Sequence, residues 1–200
     1  LIMATGAGLF SVILFSLIAY FTVRTNFKAR ALLDFISWLP FAVPGLLFGL
    51  GLLYVFLETP FFRPLYGSMF LLILATVVSS MTLGTQIIKS NMMQLGHELE
   101  EASRISGASW ATTFVRVVLP IMIPVLLLVG VMNFIGATRD VASVALIATA
   151  QTKTLALIQL DYMVDGRYET AAVVSLVVVF MSTGVAIVAR LFGLRIGIRN

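Results

Sequence analysis

The chain has 200 residues, of which 60% are hydrophobic and only 11% charged, and it carries a formal net charge of +4. A soluble domain would carry roughly a quarter charged residues, so this composition is that of a membrane protein. There is no cysteine, which excludes a disulfide framework and a thiolate metal site.

Five windows are apolar enough, and long enough at about 20 residues, to cross a bilayer as helices. They are Leu1 to Val23, Phe35 to Leu57, Ser68 to Ile88, Val117 to Ala137 and Ala171 to Leu194. The second contains Pro40 and Pro44 and the fourth contains Pro120 and Pro124, which predict kinks or helix starts. The sequence therefore predicts an all-α, polytopic membrane helix bundle.

The start of the chain also carries information. Leu1 lies inside an apolar run, with neither an initiator methionine nor the architecture of a signal peptide. We expect residues 1–200 to form a single transmembrane domain that is a fragment of a longer chain, with an N-terminal part missing.

The basic residues predict how the bundle is oriented. Loops on one side hold nine of them, and loops on the other side hold four. The nine are Arg24, Lys28, Arg30, Lys89, Arg104, Arg116, Arg190, Arg195 and Arg199, and the four are Arg63, Arg139, Lys153 and Arg167. The positive-inside rule assigns the richer side, with the loop from Lys89 to Arg116, to the cytoplasm. This dispersed placement suits membrane orientation and predicts no nucleic-acid partner.

That cytoplasmic loop is the longest charged stretch of the chain. Three acids, Glu98, Glu100 and Glu101, open a short polar helix. Arg104 lies four residues after Glu100 and three after Glu101, spacings at which an ion pair can stabilise a helix. Gly107 permits a sharp turn or a close backbone approach, and Ser109 or Thr112 would cap the next helix. The pattern predicts a short helix on the membrane surface, a turn, and a helix that re-enters the bilayer at Leu119-Pro120.

The loop resembles the EAA loop of permease subunits from binding-protein-dependent ABC importers. The family pattern is Glu-Ala-Ala, three residues, Gly, nine residues, then Ile-x-Leu-Pro. Here it reads Glu101-Ala102-Ser103, Gly107, and Val117-Val118-Leu119-Pro120, with Ser103 and Val117 as conservative departures. The resemblance implies that the contact with an ATPase is made by Glu100, Glu101, Ala102, Ser103, Arg104, Gly107, Leu119 and Pro120.

Two further segments are similar to the same family. Trp38 to Gly45 looks like the family's Leu-Pro-x-x-x-Pro-Gly motif, and Arg167 to Ala172 looks like the start of its last helix. The stretches 138–143 and 152–155 are most similar to permeases for ferric iron, which makes ferric iron the expected solute. Polyamine, thiamine and phosphonate permeases share much of the pattern and stay open as alternatives.

The family mechanism implies the partners. A cytoplasmic ABC ATPase dimer would bind ATP and Mg²⁺, so this chain itself would bind no cofactor and would not be an enzyme. A periplasmic or extracellular solute-binding protein would deliver the solute. A second permease half, whether the same chain, a copy or a homologous subunit, would complete the path among membrane lipids. The expected location is the plasma membrane, meaning the inner membrane of a bacterium.

The outward side holds the remaining candidates. Arg139 and Asp140 follow a kinked helix and would line or close the outer mouth of the path. Asp140 also belongs to a set of oxygen-bearing residues in the outer loop, together with Asp161, Tyr162, Asp165, Tyr168 and Glu169. Oxygen ligands of this kind suit Fe(III), but we expect these residues to cap short helices and contact the binding protein. His97, the only histidine, is expected to be a solvated loop residue.

Two other classes of membrane protein are alternatives to the importer. A secondary transporter driven by an ion gradient normally needs a carboxylate or a broken-helix ion site within the membrane. The five predicted spans contain no acidic residue, which argues against proton coupling. A membrane scaffold without transport activity would not need Gly107 and Leu119-Pro120 at fixed positions in a cytoplasmic loop.

Overall fold

The structure is a computed structural model that describes residues 1–26, 28–96 and 98–191. His97, Arg195 and Arg199, together with the end of the last predicted span, lie outside the described residues. The described helices are α1 (Ile2–Arg24), α2 (Arg30–Ala42), α3 (Gly45–Glu58), α4 (Met69–Met93), α5 (Glu98–Ile105), α6 (Trp110–Thr113), α7 (Leu119–Arg139), α8 (Leu155–Val164) and α9 (Tyr168–Leu191). The predicted all-α class is confirmed.

Three predicted spans appear as single long helices. α1, α4 and α9 are each long and apolar enough to cross a membrane. α4 begins where Ser68 caps it, because the Ser68 hydroxyl accepts a hydrogen bond from the Leu71 N–H at 3.3 Å. Its C-terminal end at Met93 lies five residues beyond the predicted boundary at Ile88.

The predicted span from Phe35 to Leu57 contains a break of the kind that its prolines predict. The structure forms two helices, α2 and α3, that meet at an angle of 112°. Pro40 is accommodated inside α2, and the break falls at Val43 and Pro44. A residue before proline is pushed out of the helical region, and Val43 accordingly has φ −103° and ψ 121°.

The predicted span from Val117 to Ala137 begins earlier than expected. The helix runs for 30 residues from Trp110 to Arg139, through α6, a π-helical turn (Phe114–Val118) and α7. Pro120 has no N–H, and its ring would clash with the carbonyl of residue 116 in a regular α-helix. The wider π turn immediately before it relieves that clash and lets the helix continue.

The core lies where α1, α4 and α7 pack against one another. Phe15, Leu72 and Val129 are fully or almost fully buried there. Gly84 permits the closest approach, because a Cβ at this position would lie 2.3 Å from the Phe15 ring. α2 joins α4 through a hydrogen bond from the Thr82 hydroxyl to the Ser37 carbonyl at 2.8 Å.

The connections between helices collect at two ends of the bundle. One end, here called the basic end, comprises residues 24–34 and 89–116, and Lys89 of α4 binds Asp34 of α2 there at 2.6 Å. The opposite end comprises residues 58–67 and 138–170, and its loop backbone at Ala142 and Ser143 packs against Gly45 and Gly49. This arrangement has the up-and-down alternation that the sequence predicts.

Candidate functional site

The surface helix α5 has two different sides. Glu100 is buried, with 8% of its surface exposed, whereas Glu101, Ala102 and Arg104 are exposed. A helix of 8 residues is too short to be stable alone in water. Its contacts with the bundle must therefore hold it in place, and its outer side stays free for another molecule.

The buried side of α5 is held by α1. The Tyr20 hydroxyl donates a hydrogen bond to Glu100 Oε2 at 3.3 Å, and Arg24 Nε lies 3.3 Å from Glu100 Oε1. Glu100 therefore pairs with Arg24 across the fold. The ion pair that the helix spacing allowed between Glu100 and Arg104 is not among those of the described residues.

An aromatic cluster holds the other half of the loop against the same end of α1. Trp110 stacks on Phe21 with ring centroids 5.6 Å apart and meets Tyr20 edge-on at 5.4 Å. Phe114 lies 4.6 Å from Tyr20. Such pairs contribute beyond the area that they bury, so the first turns of the α6–α7 helix are fixed to the last turns of α1.

The turn between α5 and α6 has the shape that the sequence predicts. Gly107 has φ +85°, in the left-handed region that favours glycine, and a Cβ added there would meet nothing within 4 Å. Ser109 caps α6 by accepting from the Thr112 N–H at 3.3 Å. Ser103, at the second alanine position of the EAA pattern, lies with its hydroxyl 3.0 Å from that of Thr113.

The other predicted loop residues lie further along. Leu119 is partly buried against the core, and Pro120 is exposed. Both lie inside the 30-residue helix that begins at Trp110, so the helix expected after the Ser109 cap is present and passes through Leu119-Pro120. They continue the helix that the loop begins rather than forming part of the exposed side of α5.

Sequence reasoning missed two features of this region. Ile105 is 87% exposed at the end of α5. It is one of the three residues before Gly107 that the EAA pattern leaves unspecified. Arg24 was counted only as a charge for orientation, although its side chain is 1% exposed. No signal in the sequence distinguishes a buried arginine from the exposed ones that end other apolar runs.

A second candidate region is a groove between α4, α7 and the loop that follows α7. Its volume is about 360 Å³, and its lining includes Ser79, Ser80, Asn133, Arg139 and Asp140. The Ser79 and Ser80 hydroxyls donate to the Thr76 carbonyl of their own helix. The buried Oδ1 of Asn133 has no hydrogen-bond partner among the described residues, so it is free to accept one.

The structure places Arg139 and Asp140 at one end of this groove. The Asp140 carboxylate accepts hydrogen bonds from the Ser143 N–H, at 3.1 Å, and from the Ser143 hydroxyl. Asp140 therefore stabilises the turn after α7, as the capping hypothesis predicts.

One further acid of this end has a side-chain partner nearby. Asp161 pairs with Lys153, and Asp165 lies at the C-terminal cap of α8. Within residues 1–26, 28–96 and 98–191, no three acidic, histidine or cysteine side chains come together as a metal site requires. The structure thus gives no support to the alternative of an iron-binding cluster here.

The class of the protein follows from comparison with known families. The chain belongs to the family described as the inner membrane component of binding-protein-dependent transport systems, whose pattern matches residues 12–198. This confirms the resemblance found in the EAA loop and the multi-pass inner-membrane location. It also argues against the secondary transporter and the membrane scaffold.

Two relatives illustrate the range of the family. The chain is 30% identical over 155 residues to the ferric transport system permease protein FbpB of Actinobacillus pleuropneumoniae, covering 78% of this chain and 22% of that protein. It is 28% identical over 156 residues to the sulfate transport system permease protein CysT of Salmonella typhimurium, covering 74% and 56%. The chain therefore spans about a fifth of one relative and just over half of the other.

The fold has a close counterpart among solved structures. A chain of the MetNI methionine ABC transporter, in an inward facing conformation, matches with a TM-score of 0.75. The match covers 95% of this chain and 89% of that chain at 17% identity. At this identity the likeness concerns the fold alone, which is that of an ABC importer permease.

Proposed function

We propose that this chain forms part of the solute path of an ATP-driven importer and is coupled to a cytoplasmic ATPase through α5. The observation that carries the proposal is the two-sided character of α5. One side is fixed to the membrane bundle by Glu100, and the other presents Glu101, Ala102 and Ile105 to the surroundings. A helix held firmly on one side and bare on the other suits a docked partner that moves it.

The exposed side of α5 has the chemistry of a small docking surface. Ile105, at 87% exposure, and Leu99, at 52%, offer apolar contacts among charged neighbours. Gly107 adds a turn with no side chain and open space around it, which lets a partner approach the backbone closely. Under this proposal the partner is the ATPase dimer, which holds the ATP and Mg²⁺ that drive transport.

The groove between α4 and α7 is proposed as this chain's share of the path. Its lining combines large apolar side chains with small, hydroxyl-bearing and amide ones, within helices that are otherwise apolar. Polar groups at membrane depth are costly and mark candidate transport routes. A second permease half, whether a copy or a homologous subunit, would cover the groove, and a solute-binding protein would approach the end with Arg139 and Asp140.

Ferric iron is the first proposed solute. Support comes from the resemblance of stretches 138–143 and 152–155 to iron permeases and from the likeness to FbpB over 78% of the chain. Sulfate is a second candidate, and the chemistry of the groove supports it. The groove offers the Arg139 guanidinium, while its carboxylate Asp140 is already bonded to Ser143, and a guanidinium donor suits an oxyanion.

Uptake measurements separate the two solutes. Deletion of the gene should reduce uptake of radiolabelled iron while uptake of radiolabelled sulfate stays unchanged, and the intact gene should restore it. A loss confined to sulfate would reject ferric iron in favour of the oxyanion. A loss of neither would contradict both assignments.

A matched pair of variants tests the docking surface. Ile105→Asp introduces a charge on the exposed side of α5, and Val164→Asp does the same at the opposite end, where Val164 is 79% exposed. Copurification of the ATPase should fall about tenfold or more for Ile105→Asp, since a buried unpaired charge opposes docking. It should be unchanged for Val164→Asp, and equal copurification of both would contradict the proposal.

A further inference from the structure

The guanidinium of Arg24 joins three segments of the chain at one point. Arg24 Nη2 donates to the Met92 carbonyl at 2.6 Å and to the Leu95 carbonyl at 2.5 Å, at the C-terminal end of α4. Arg24 Nε faces Glu100 of α5 at 3.3 Å. Arg24 itself is the last residue of α1. One side chain therefore connects α1, the end of α4 and the surface helix.

Burial distinguishes Arg24 from a charge that only orients a membrane protein. The positive-inside rule needs basic residues near the membrane surface, and exposed side chains satisfy it. The Arg24 side chain is 1% exposed and that of Glu100 is 10% exposed. Desolvating two charges is expensive unless they are paired with good geometry, so orientation alone does not account for this arrangement.

An arginine guanidinium suits the connection of these three segments better than a lysine ammonium would. Arginine presents several N–H donors in fixed directions, whereas a lysine ammonium is a compact point charge. Here Nη2 donates to two backbone carbonyls, while Nε lies within ion-pair distance of the Glu100 carboxylate without forming a hydrogen bond to it. The carbonyls belong to the helix end that immediately precedes α5, so the guanidinium fixes both the start of the loop and the helix within it.

The end of α1 that carries Arg24 is itself firmly held. Tyr20, one turn earlier, is fully buried and contacts Glu100 as well as the rings of Trp110 and Phe114. Along its length α1 packs against α4 and α7. A displacement of α5 would therefore pass directly into the helix at the centre of the bundle.

We propose that Arg24 is a positioning residue that transmits movement of α5 to the transmembrane helices through its ion pair with Glu100. This inference rests on the proposed function, because it assumes that an ATPase moves α5. It assigns Glu100 and Glu101 different tasks, although they are neighbours. Glu100 binds inward to Arg24, and Glu101 faces the partner.

The test compares coupling with assembly in the complete transporter, reconstituted with its ATPase and binding protein. The variants are Glu100→Gln, Arg24→Gln and the double variant, with Lys89→Gln as the matched control. Lys89 of α4 forms an interhelical ion pair with Asp34 at the basic end, and no ion pair or hydrogen bond of the described residues joins it to α5. The measured quantity is solute transported per ATP hydrolysed, alongside copurification of the ATPase.

We expect Glu100→Gln and Arg24→Gln each to lower this ratio about fivefold or more, within the range by which residues along a coupling route act. ATPase copurification should stay at the parental level. The double variant should be no worse than Arg24→Gln alone, because Arg24→Gln already removes the interaction that Glu100→Gln would remove. Arg24→Lys should restore part of the ratio lost in Arg24→Gln, and Lys89→Gln should keep the parental ratio.

A parental ratio in Glu100→Gln, with the complex intact, would overturn the inference and leave the proposed function standing. An equal loss in Lys89→Gln would also overturn it, since the effect would then be a general one of charges at this end. If Arg24→Gln fails to insert, Glu100→Gln decides, because it preserves side-chain volume and hydrogen bonding. Failure of the parent chain to bind an ATPase would overturn the proposed function as well.

Discussion

The two ends of the helix bundle differ in how deeply their ion pairs are buried. At the basic end, the ion pair between Arg24 and Glu100 has side chains 1% and 10% exposed and joins elements far apart in the sequence. At the opposite end, the pair between Lys153 and Asp161 has side chains 41% and 46% exposed and joins near neighbours. The first is built into the packing of the bundle, whereas the second lies on its surface.

This difference separates two kinds of functional candidate. Exposed ion pairs contribute little to stability, and at the opposite end the carboxylates of Asp140 and Asp161 bind residues that are near them in the sequence. A buried pair that spans three segments restricts how those segments can move relative to one another. The basic end is therefore the more plausible place to find a rigid mechanical link, and the opposite end a surface for recognition.

The largest effect is expected at the turn of the basic end. Gly107→Val should abolish uptake and weaken ATPase binding, because a β-branched residue at φ +85° is strained. Such strain costs roughly 1–3 kcal/mol, and the open space around Gly107 means that no steric clash adds to it. Uptake and ATPase copurification measure the effect.

Two comparison variants sharpen this prediction. Gly107→Asn should retain much of the activity, since asparagine tolerates the left-handed region better than other residues. Glu101→Ala should be milder than Gly107→Val, because it removes a charge but keeps the shape of the loop. Parental uptake and copurification in Gly107→Val would mean that the loop is not the coupling element.

The two ion pairs can be compared directly through their carboxylates. Glu100→Ala should destabilise the detergent-solubilised protein by about 3 kcal/mol, because it leaves Arg24 buried without its counter-charge. Asp161→Ala should cost less than about 1 kcal/mol, as for other exposed pairs. Thermal denaturation measures both, and equal shifts would remove the distinction drawn between the two ends.

The packing of α3 against the loop after α7, at the opposite end, is expected to contribute less to stability. A Cβ on Gly49 would lie 2.8 Å from the Ser143 carbonyl oxygen, whereas one on Gly51 would meet nothing within 4 Å. Gly49→Ala should therefore cost about 1–3 kcal/mol through overpacking. Gly51→Ala should be neutral or slightly stabilising, since alanine is the better helix former, and thermal denaturation again separates the two.

The orientation of the two ends can be tested with no intended effect on activity. Ser106→Cys at the basic end and Val164→Cys at the opposite end introduce single thiols into a chain that has no cysteine, and both positions are exposed. An impermeant reagent should label only the second variant in intact cells. Labelling of the first would reverse the predicted topology.

The sequence by itself determined the class of this protein. Membrane-length apolar runs leave little alternative to helices, because backbone groups in lipid must be satisfied within the segment. The EAA spacing, the left-handed turn at Gly107 and the cap at Ser109 are local features, in which neighbouring residues decide the backbone. These were accordingly found where they were predicted.

The tertiary structure decided what depends on distant partners. The span from Phe35 to Leu57 contains two prolines. The direction that the chain takes after Pro44 is set by the packing of α3 on Ala142 and Ser143, which no local pattern predicts. Glu100 had a sequence neighbour of opposite charge in Arg104, yet it pairs with Arg24 in another helix. Local spacing limits which contacts are possible, whereas burial selects among them, since a desolvated charge must find the partner that the fold brings to it.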